Sequence, residues 1–308
     1  MTKVSVLIPV YNASKYLKDT LNSVVKQSLK DIEIVIANDG STDDSEEVIR
    51  KFKKKYKNIK YFYKKNTGVA DTRNFLIEHA NGEYIAFLDS DDTIDRKMYE
   101  EMYNLAIDKK ADMVICDFNE IHDLFTVVKK GINEESKILS PPALWNKLVK
   151  KEFYLNNRFP DVTIGEDMTV ILRMMVKKIK IEYINKPFYN YYKRPNSLMN
   201  KAKYSKYWED IFVVFDLLND VLSKYPEELE FLFIQHVLRD SSIKFMYYEE
   251  GLDDLKRINI IAHDKYSHFC KNKYYKRKKF RYRFVCFLIY HKMYFAVKLI
   301  RKIMNSDR

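Results

Sequence analysis

Glycine is scarce in this chain: six in 308 residues, at Gly40, Gly68, Gly82, Gly131, Gly165 and Gly251. No two stand at the spacing of a G-x-x-x-x-G-K-[ST] phosphate loop or of G-x-G-x-x-G, so a P-loop or dinucleotide fingerprint loses its main support. Cysteine is scarcer still. Cys116, Cys270 and Cys286 are odd in number and form no C-x-x-C pair, which argues against a disulfide framework or a zinc site and fits a reducing cytoplasm. The six histidines show no H-x-x-x-H spacing, so each reads as structural or exposed. No apolar run approaches the roughly 20 residues that cross a bilayer. Residues 1–12 hold a short apolar run without an extended h-region or a small-residue cleavage site, and read as a first strand instead of a signal peptide. Internal repeats and low-complexity linkers are absent.

Apolar and aromatic residues are plentiful, at 46% and 15%, enough for a folded core in one large or two modest domains. The formal net charge of +12 is not spread evenly. Residues 271–308 hold thirteen Lys/Arg and one acid, Asp307, so the remainder is neutral. The imbalance therefore describes a local partner surface and not the fold.

Short β runs alternate with amphipathic helices through the first half. Residues 4–10 are a continuous apolar strand, and 16–27 carry Leu17, Leu21, Val24 and Val25 at a helical period. Strands are predicted at 32–37, 60–63, 84–88 and 113–116, and helices at 69–79 and 98–109. Ser41 and Asp43 are cap candidates for a helix running through Ile49 and Phe52. Repeated β-α-β units with buried strands imply an α/β fold with a mostly parallel sheet covered on both faces, in which ligands bind beyond the carboxyl ends of the strands. After about residue 203 the pattern changes to long helices at 207–222, 227–248 and 284–304. The expected organisation is a catalytic domain over 1–203 and a helical region over 204–308.

The fourth strand stops on Asp89-Ser90-Asp91-Asp92. A D-x-D step at a strand end gathers hard oxygen ligands suited to Mg²⁺ or Mn²⁺, with positions left for substrate phosphates. An EF-hand over 89–100 fits at its first, third and last positions but puts Ile94 where glycine is required. An aspartyl-phosphate nucleophile and a solvated acidic turn are the other readings of this segment alone. Neighbouring segments decide between them: Val4-Ser5-Val6-Leu7-Ile8-Pro9-Val10-Tyr11-Asn12, Ile36-Ala37-Asn38-Asp39-Gly40-Ser41-Thr42-Asp43, Asn66-Thr67-Gly68-Val69-Ala70-Asp71-Thr72-Arg73-Asn74, Phe87-Leu88-Asp89-Ser90-Asp91-Asp92 and Gly165-Glu166-Asp167-Met168.

In order and spacing these five segments resemble the family 2 glycosyltransferases, enzymes of GT-A fold, over about two-thirds of the chain. The resemblance implies an inverting transfer from a nucleotide-sugar, a UDP-sugar by this reading, with Mn²⁺ or Mg²⁺ as cofactor. Asp91 is the expected direct metal ligand, and Asp89 shares metal duty or binds the ribose. Asp39 is expected at the uracil, or as a turn residue beside Gly40. Arg73 reads as a bidentate phosphate ligand or an ordinary surface ion pair; Thr72 before it departs from the usual small residue. Tyr11 packs on the base or fills the core, and Pro9, Asn12 and Ser90 belong to the same donor-binding segments. Asp92 either joins the acids or caps a helix after Thr93.

Asp167 is the expected general base, because a hydroxyl acceptor is a poor nucleophile until a carboxylate takes its proton. Glu166 orients the acceptor or holds the loop; both acids also suit the first turn of a helix. Trp145 and Lys147 resemble a segment lining the donor sugar or the acceptor entrance, with core packing as the other reading of Trp145. Tyr192-Lys193-Arg194-Pro195-Asn196-Ser197 resembles a segment closing over the pyrophosphate through Arg194 and Ser197, with Asn196 where some relatives carry histidine.

The basic tail supports three readings. Lys276-Arg277-Lys278-Lys279 precedes an apolar run, and His291, Lys298, Lys302 and Asn305 share a helical face, the pattern of an interfacial helix with a polybasic approach. Each basic residue near an anionic leaflet contributes about 1 kcal/mol, which would hold the enzyme at the cytoplasmic face of the membrane near a glycan or lipid-linked saccharide acceptor. The same residues, interleaved with Tyr274, Tyr275, Phe280 and Tyr282, fit a nucleic-acid module, although the apolar run argues against one. In the third reading the tail packs on the catalytic domain or on a second subunit of a homo-oligomer. A catalytically silent scaffold is disfavoured by the intact acid set.

Overall fold

The computed structural model describes residues 2–194 and 204–306. The chain forms two compact units, Met1–Ser197 and Leu198–Arg308; the expected change of pattern near residue 203 falls outside the described residues.

The first unit is built on one sheet in the order β3-β2-β1-β4-β8-β6-β9-β5, with β7 paired to β6. Its strands are β1 (Val4–Val10), β2 (Ile32–Asp39), β3 (Ile59–Lys64), β4 (Tyr84–Phe87), β5 (Thr93–Ile94), β6 (Met113–Ile121), β7 (Thr126–Lys129), β8 (Lys147–Lys150) and β9 (Ile181–Tyr192). The helices are α1 (Ser14–Val25), α2 (Ser45–Lys55), α3 (Val69–His79), α4 (Met98–Lys109), α5 (Lys151–Leu155) and α6 (Glu166–Met175). Strands β1 and β2 are apolar almost throughout because both faces are covered. Val4, Val6, Ile8, Ile34 and Ile36 pack with Leu17, Leu21, Ile49 and Met102 on one side. Leu7, Val35, Ala37 and Phe87 pack with Leu76, Ile77, Val170 and Met174 on the other. Alternate residues point to opposite faces, so a strand buried on both sides cannot alternate polar with apolar.

From β3 to β4 the sheet is parallel. Beyond β4 it is mixed: β8 runs antiparallel to β4 and β6, β5 to β9 and β7 to β6, while β9 runs parallel to β6 through two register shifts. The sequence pattern does not reveal β5, β7, β8 or β9, which are short or polar; β9 carries Lys186 and Pro187 within its length.

The second unit is helical: α7 (Asp210–Val221), α8 (Pro226–Leu232), a π-helical stretch Phe233–Ser241, α9 (Ser242–Phe245), α10 (Leu252–Lys265), α11 (Lys273–Lys276), α12 (Phe280–Tyr290) and α13 (Tyr294–Ser306). The last helix expected from sequence, 284–304, is in fact two. The chain breaks at Lys292, which takes a left-handed φ of 59°. Among the described residues no helix is long and apolar enough to cross a membrane.

Candidate active site

Pro9, Tyr11, Asn12, Asp39, Asp89, Ser90 and Asp91 stand at or just beyond the carboxyl ends of β1, β2 and β4. Leu88 N–H donates to the Leu7 carbonyl at 3.0 Å, so Asp89 leaves the sheet one step beyond paired β4. Asn12 and the turn after β2 hold each other. Asn12, at φ 48°, donates its N–H to Ser41 Oγ (3.0 Å) and accepts at Oδ1 from Thr42 N–H (2.8 Å). Asparagine tolerates this left-handed conformation better than most residues. Asp43 precedes the α2 cap residue Asp44 and accepts from the first N–H of two helices, Ser45 at 3.0 Å and Ser14 at 2.9 Å. Tyr11, beside Pro9 at the end of β1, is 54% exposed, so it does not fill the core.

Asp39 is buried, and its carboxylate organises the next loop. Oδ1 accepts from Lys64 Nζ (2.7 Å) and Thr67 N–H (3.0 Å), and Oδ2 accepts from Gly68 N–H (3.0 Å). Each carboxylate oxygen has two lone-pair sites, so Oδ2 keeps one for a further donor. Lys64 is a site residue the sequence reading missed. It sits directly across from Asp39 in the β2–β3 register, a signal visible only once the strands are aligned.

Arg73 is the centre of the arrangement. It lies on α3, which starts after Gly68 at φ 93°, and its side chain is buried against Phe87 and Phe159, with ring centroids at 5.9 and 5.7 Å. The guanidinium pairs with Glu166 and stands 3.5 Å from Asp89 Oδ1. Neither expectation for Arg73, a rim phosphate ligand or a surface ion pair, describes this buried bridge. Burial works against its charge, but Glu166 and Asp89 outweigh that and raise its pKa. The same burial pushes Asp89 up to about 6; Arg73 opposes the shift, while Asp91 and Asp167 add to it. Glu166 is likewise raised by burial, against Arg73.

We expect Arg73→Ala to lower stability by about 3–5 kcal/mol, since it leaves the buried Glu166 carboxylate uncompensated. The folded pKa of such an acid lies above its unfolded value, so the unfolded state ionises first and stability falls as pH rises from about 4. Urea unfolding at pH 4 and pH 7 should therefore show the larger loss at pH 7. An equal loss at both would refute the electrostatic account.

Gly165, at φ 84°, turns the chain into α6 and places Glu166 and Asp167 in its first turn. Glu166 is buried. Asp167 is half-buried and accepts at Oδ1 from Met168 N–H (2.7 Å). Because Arg73 ties Glu166 to the end of β4, Asp167 is held within electrostatic reach of Asp89.

Asp91 is the open acid of the D-x-D step, with 40% of its side chain exposed; its Oδ2 accepts from Arg194 Nε at 3.2 Å. Arg194 also stacks on Tyr16, 3.5 Å from the ring centroid, a partner sequence reading missed. The half-buried Ser90 offers its carbonyl to Thr20 Oγ1 at 3.0 Å. Asp92 does not cap a helix: α4 begins only at Met98, and Asp92 is buried, accepting from Tyr189 Oη (2.8 Å) and Tyr192 N–H (2.9 Å). Burial and the neighbouring Asp89 and Asp91 raise its pKa well above the usual range. Its task is to clamp β9 to the D-x-D turn. Ser197 lies outside the described residues.

Lys147 requires a correction. It is fully buried, and Nζ donates to the carbonyls of Pro141 (2.8 Å) and Ala143 (2.6 Å) and to Asn146 Oδ1 (2.8 Å). The ammonium has three donors, so none remains for a sugar. Burial lowers its pKa to about 7. Trp145 stacks on Tyr189 and Tyr191, at 4.3 and 5.5 Å, and meets Phe118 edge-on at 4.7 Å. The ring is half-buried and packs against the core.

Among the described residues no three His, Cys, Asp or Glu side chains form a complete metal cage. Asp89 and Asp91 still suit a cation that takes one or two protein carboxylates and fills its other positions from substrate phosphates. Burial is the main reason Asp89 rises to about 6, and the part that Asp91 and Asp167 add to it is the kind a cation relieves.

The sequence profile of glycosyl transferase family 2 matches residues 5–180. The chain belongs to that family. The matched span of this family 2 glycosyltransferase holds every residue of the acid cluster, from Asp39 to Asp167. The chain is 31% identical over 217 residues to glycosyltransferase GlyA of Streptococcus pneumoniae, which covers 64% of this chain and 31% of that protein. It is 30% identical over 220 residues to the cholesterol galactosyltransferase of Borreliella burgdorferi, covering 64% of this chain and 62% of the relative. The chain thus spans less than two-thirds of either relative. The fold matches that of TarS 1-349 from S. aureus, solved in complex with UDP-GlcNAc, with a TM-score of 0.69 at 20% identity over 84% of this chain and 83% of that one. This is the GT-A fold.

Proposed function

We propose that this protein transfers a sugar from a nucleotide-sugar, a UDP-sugar in the finer reading, to a hydroxyl of a glycan or lipid-linked saccharide, with inversion at the anomeric carbon. The observation that carries the proposal is the buried Arg73 bridge, which ties the first turn of α6 to the turn after β4. A base and a diphosphate site are then held at a set separation by one side chain, the kind of pre-organisation an in-line displacement needs. The solved complex of TarS with UDP-GlcNAc supports the donor class.

In this reading Asp39 offers its open lone pair to a base N–H and Tyr11 stacks on the base. Asp91 and Asp89 would hold Mn²⁺ or Mg²⁺, which would supply Lewis-acid stabilisation of the leaving diphosphate. Arg194 turns from Asp91 to the phosphates, where a planar guanidinium pairs well. Asp167 takes the acceptor proton while the acceptor oxygen bonds to the anomeric carbon and the bond from that carbon to the diphosphate breaks. Glu166 is occupied by Arg73 and acts as the strut that positions Asp167. The protein works from the cytoplasm at the inner face of the cell membrane; a relative named for transfer to cholesterol is in keeping with a membrane-borne acceptor.

Nucleotide-sugars incubated with the enzyme and Mn²⁺ should release UDP from one or more UDP-sugars. Calorimetry should find UDP binding at least about tenfold tighter with Mn²⁺, the smallest gain worth assigning to a metal bridge. Equal affinity with and without metal overturns the metal assignment, and release of only GDP or a nucleoside monophosphate overturns the UDP assignment.

A further inference from the structure

The second unit leaves apolar side chains uncovered in an ordered arrangement. On α12, Phe280, Phe284 and Phe287 recur at i, i+4 and i+7 and are all exposed, Phe280 by 71%. Cys286, Leu288 and Ile289 take the buried side of the same helix. Phe280 and Phe284 stack in parallel, 5.7 Å apart at 12°. On α13, Phe295, exposed by 80%, and Leu299 repeat the arrangement, while Val297 is buried. Large apolar residues scattered singly on a surface are ordinary, but rows of them on successive helices mark an interaction face.

Charge surrounds these rows. Lys276, Lys279, Arg281, Lys292 and Lys302 are exposed, and among the described residues no acid lies within ion-pair distance of any of them. They belong to the segment that carries the whole net charge of the chain. Of the three tyrosines that suggested nucleic acid, Tyr282 is half-buried with the Arg239 guanidinium 4.8 Å from its ring, and the other two face inward. Tyr274 and Tyr275 are buried, and their hydroxyls donate to Glu228 Oε1 (2.5 Å) and to the Arg283 carbonyl (2.9 Å). What remains exposed is phenylalanine and leucine bordered by cations. That combination fits a surface with anionic headgroups above and acyl chains below.

We infer that the exposed rows of α12 and α13 dock this protein onto an anionic phospholipid bilayer, with Phe280, Phe284, Phe287, Phe295 and Leu299 entering the interface and the flanking cations meeting the headgroups. The inference concerns the second unit alone and needs no donor. Its failure would therefore leave the transfer chemistry standing, and the reverse also holds.

Co-sedimentation of the full chain with vesicles of phosphatidylcholine and about 30% phosphatidylserine tests it. Binding should be strong at low salt, weak on phosphatidylcholine alone and reduced several-fold by about 0.5 M NaCl, because headgroup attraction is screened within a Debye length. The triple variant Phe280→Ser, Phe284→Ser, Phe287→Ser should bind at least about tenfold more weakly, since it removes three insertable rings. Each cation changed to glutamine at 276, 279 or 281 should cost about fivefold. These side chains are exposed, so the variants should unfold at the wild-type temperature. The single variant Phe287→Trp supplies an independent reading: its emission should shift to the blue on adding anionic vesicles and be quenched by brominated acyl chains. No vesicle binding by the wild type, or an unshifted emission from the Phe287→Trp variant, overturns the inference. So does binding lost in the glutamine variants but kept in the serine variant, which would assign the cations to a soluble polyanion. A dimer in sedimentation velocity that the serine variant dissociates, with vesicle binding unchanged, would assign the face to a second copy.

Discussion

Asp167→Asn should bind UDP and the donor as tightly as the wild type and lose about 10²–10⁴-fold in transfer, the usual contribution of a positioned general base. The amide keeps the shape of the carboxylate and its acceptor for the Met168 N–H, at 2.7 Å in the wild type, so the first turn of α6 has no reason to rearrange. What is lost is the proton acceptor, which matters only as the acceptor oxygen attacks; kcat should fall and donor affinity should not. Glu166 cannot take over, because its carboxylate is paired with Arg73. Transfer by the variant within about tenfold of wild type would remove Asp167 from the role, the residual being below what a base contributes. Retention at the anomeric carbon in the wild-type product would remove single displacement altogether.

Asp91→Ala should have the second-largest effect, a loss of metal-supported donor binding together with a fall of about 10²-fold or more in turnover, in line with the several kcal/mol that a Lewis acid supplies to a leaving phosphate. Of the two acids in the D-x-D step, Asp91 is the more exposed, at 40% against 30% for the Asp89 side chain. Asp89 also answers to Arg73, so Asp89→Ala combines a metal loss with a disturbed ion pair and should cost stability as well as activity. Titration of each variant with UDP in the presence and absence of Mn²⁺, beside a thermal unfolding curve, separates the two. If Asp91→Ala keeps its Mn²⁺-dependent gain in UDP affinity, the ligand assignment fails. The variant removes the acceptor that Arg194 Nε has at 3.2 Å, while the guanidinium keeps its bond to the main-chain carbonyl at position 91.

The residues that carry the motifs lie at positions the sequence alone identifies. Near-continuous apolar runs at β1 and β2, interrupted inside the strands only by Ser5 and Glu33, leave no polar face and suit strands buried on both sides. Helical periods place α3 and α4, and strand ends followed by Asp39 and Asp89 mark one rim of the sheet. Family membership follows from the same short segments, because order and spacing along a chain are properties of sequence.

Pairings across long separations were decided by the tertiary structure. Arg73 and Glu166 are 93 positions apart, and nothing local to either tells which carboxylate the guanidinium meets or that the meeting is buried. Asp92 reads equally as a member of the acid cluster or as a helix cap until Tyr189 and Tyr192 arrive from β9, about a hundred residues on. Lys147 reads as a ligand for substrate until the loop of Pro141 and Ala143 closes over its ammonium. In the tail, hydropathy supplied the apolar and basic residues, but only packing showed that Tyr274 and Tyr275 turn inward while Phe280 and Phe295 stay in water. Periodicity tells which side of an element is apolar; whether that side finds a partner depends on elements distant in the chain.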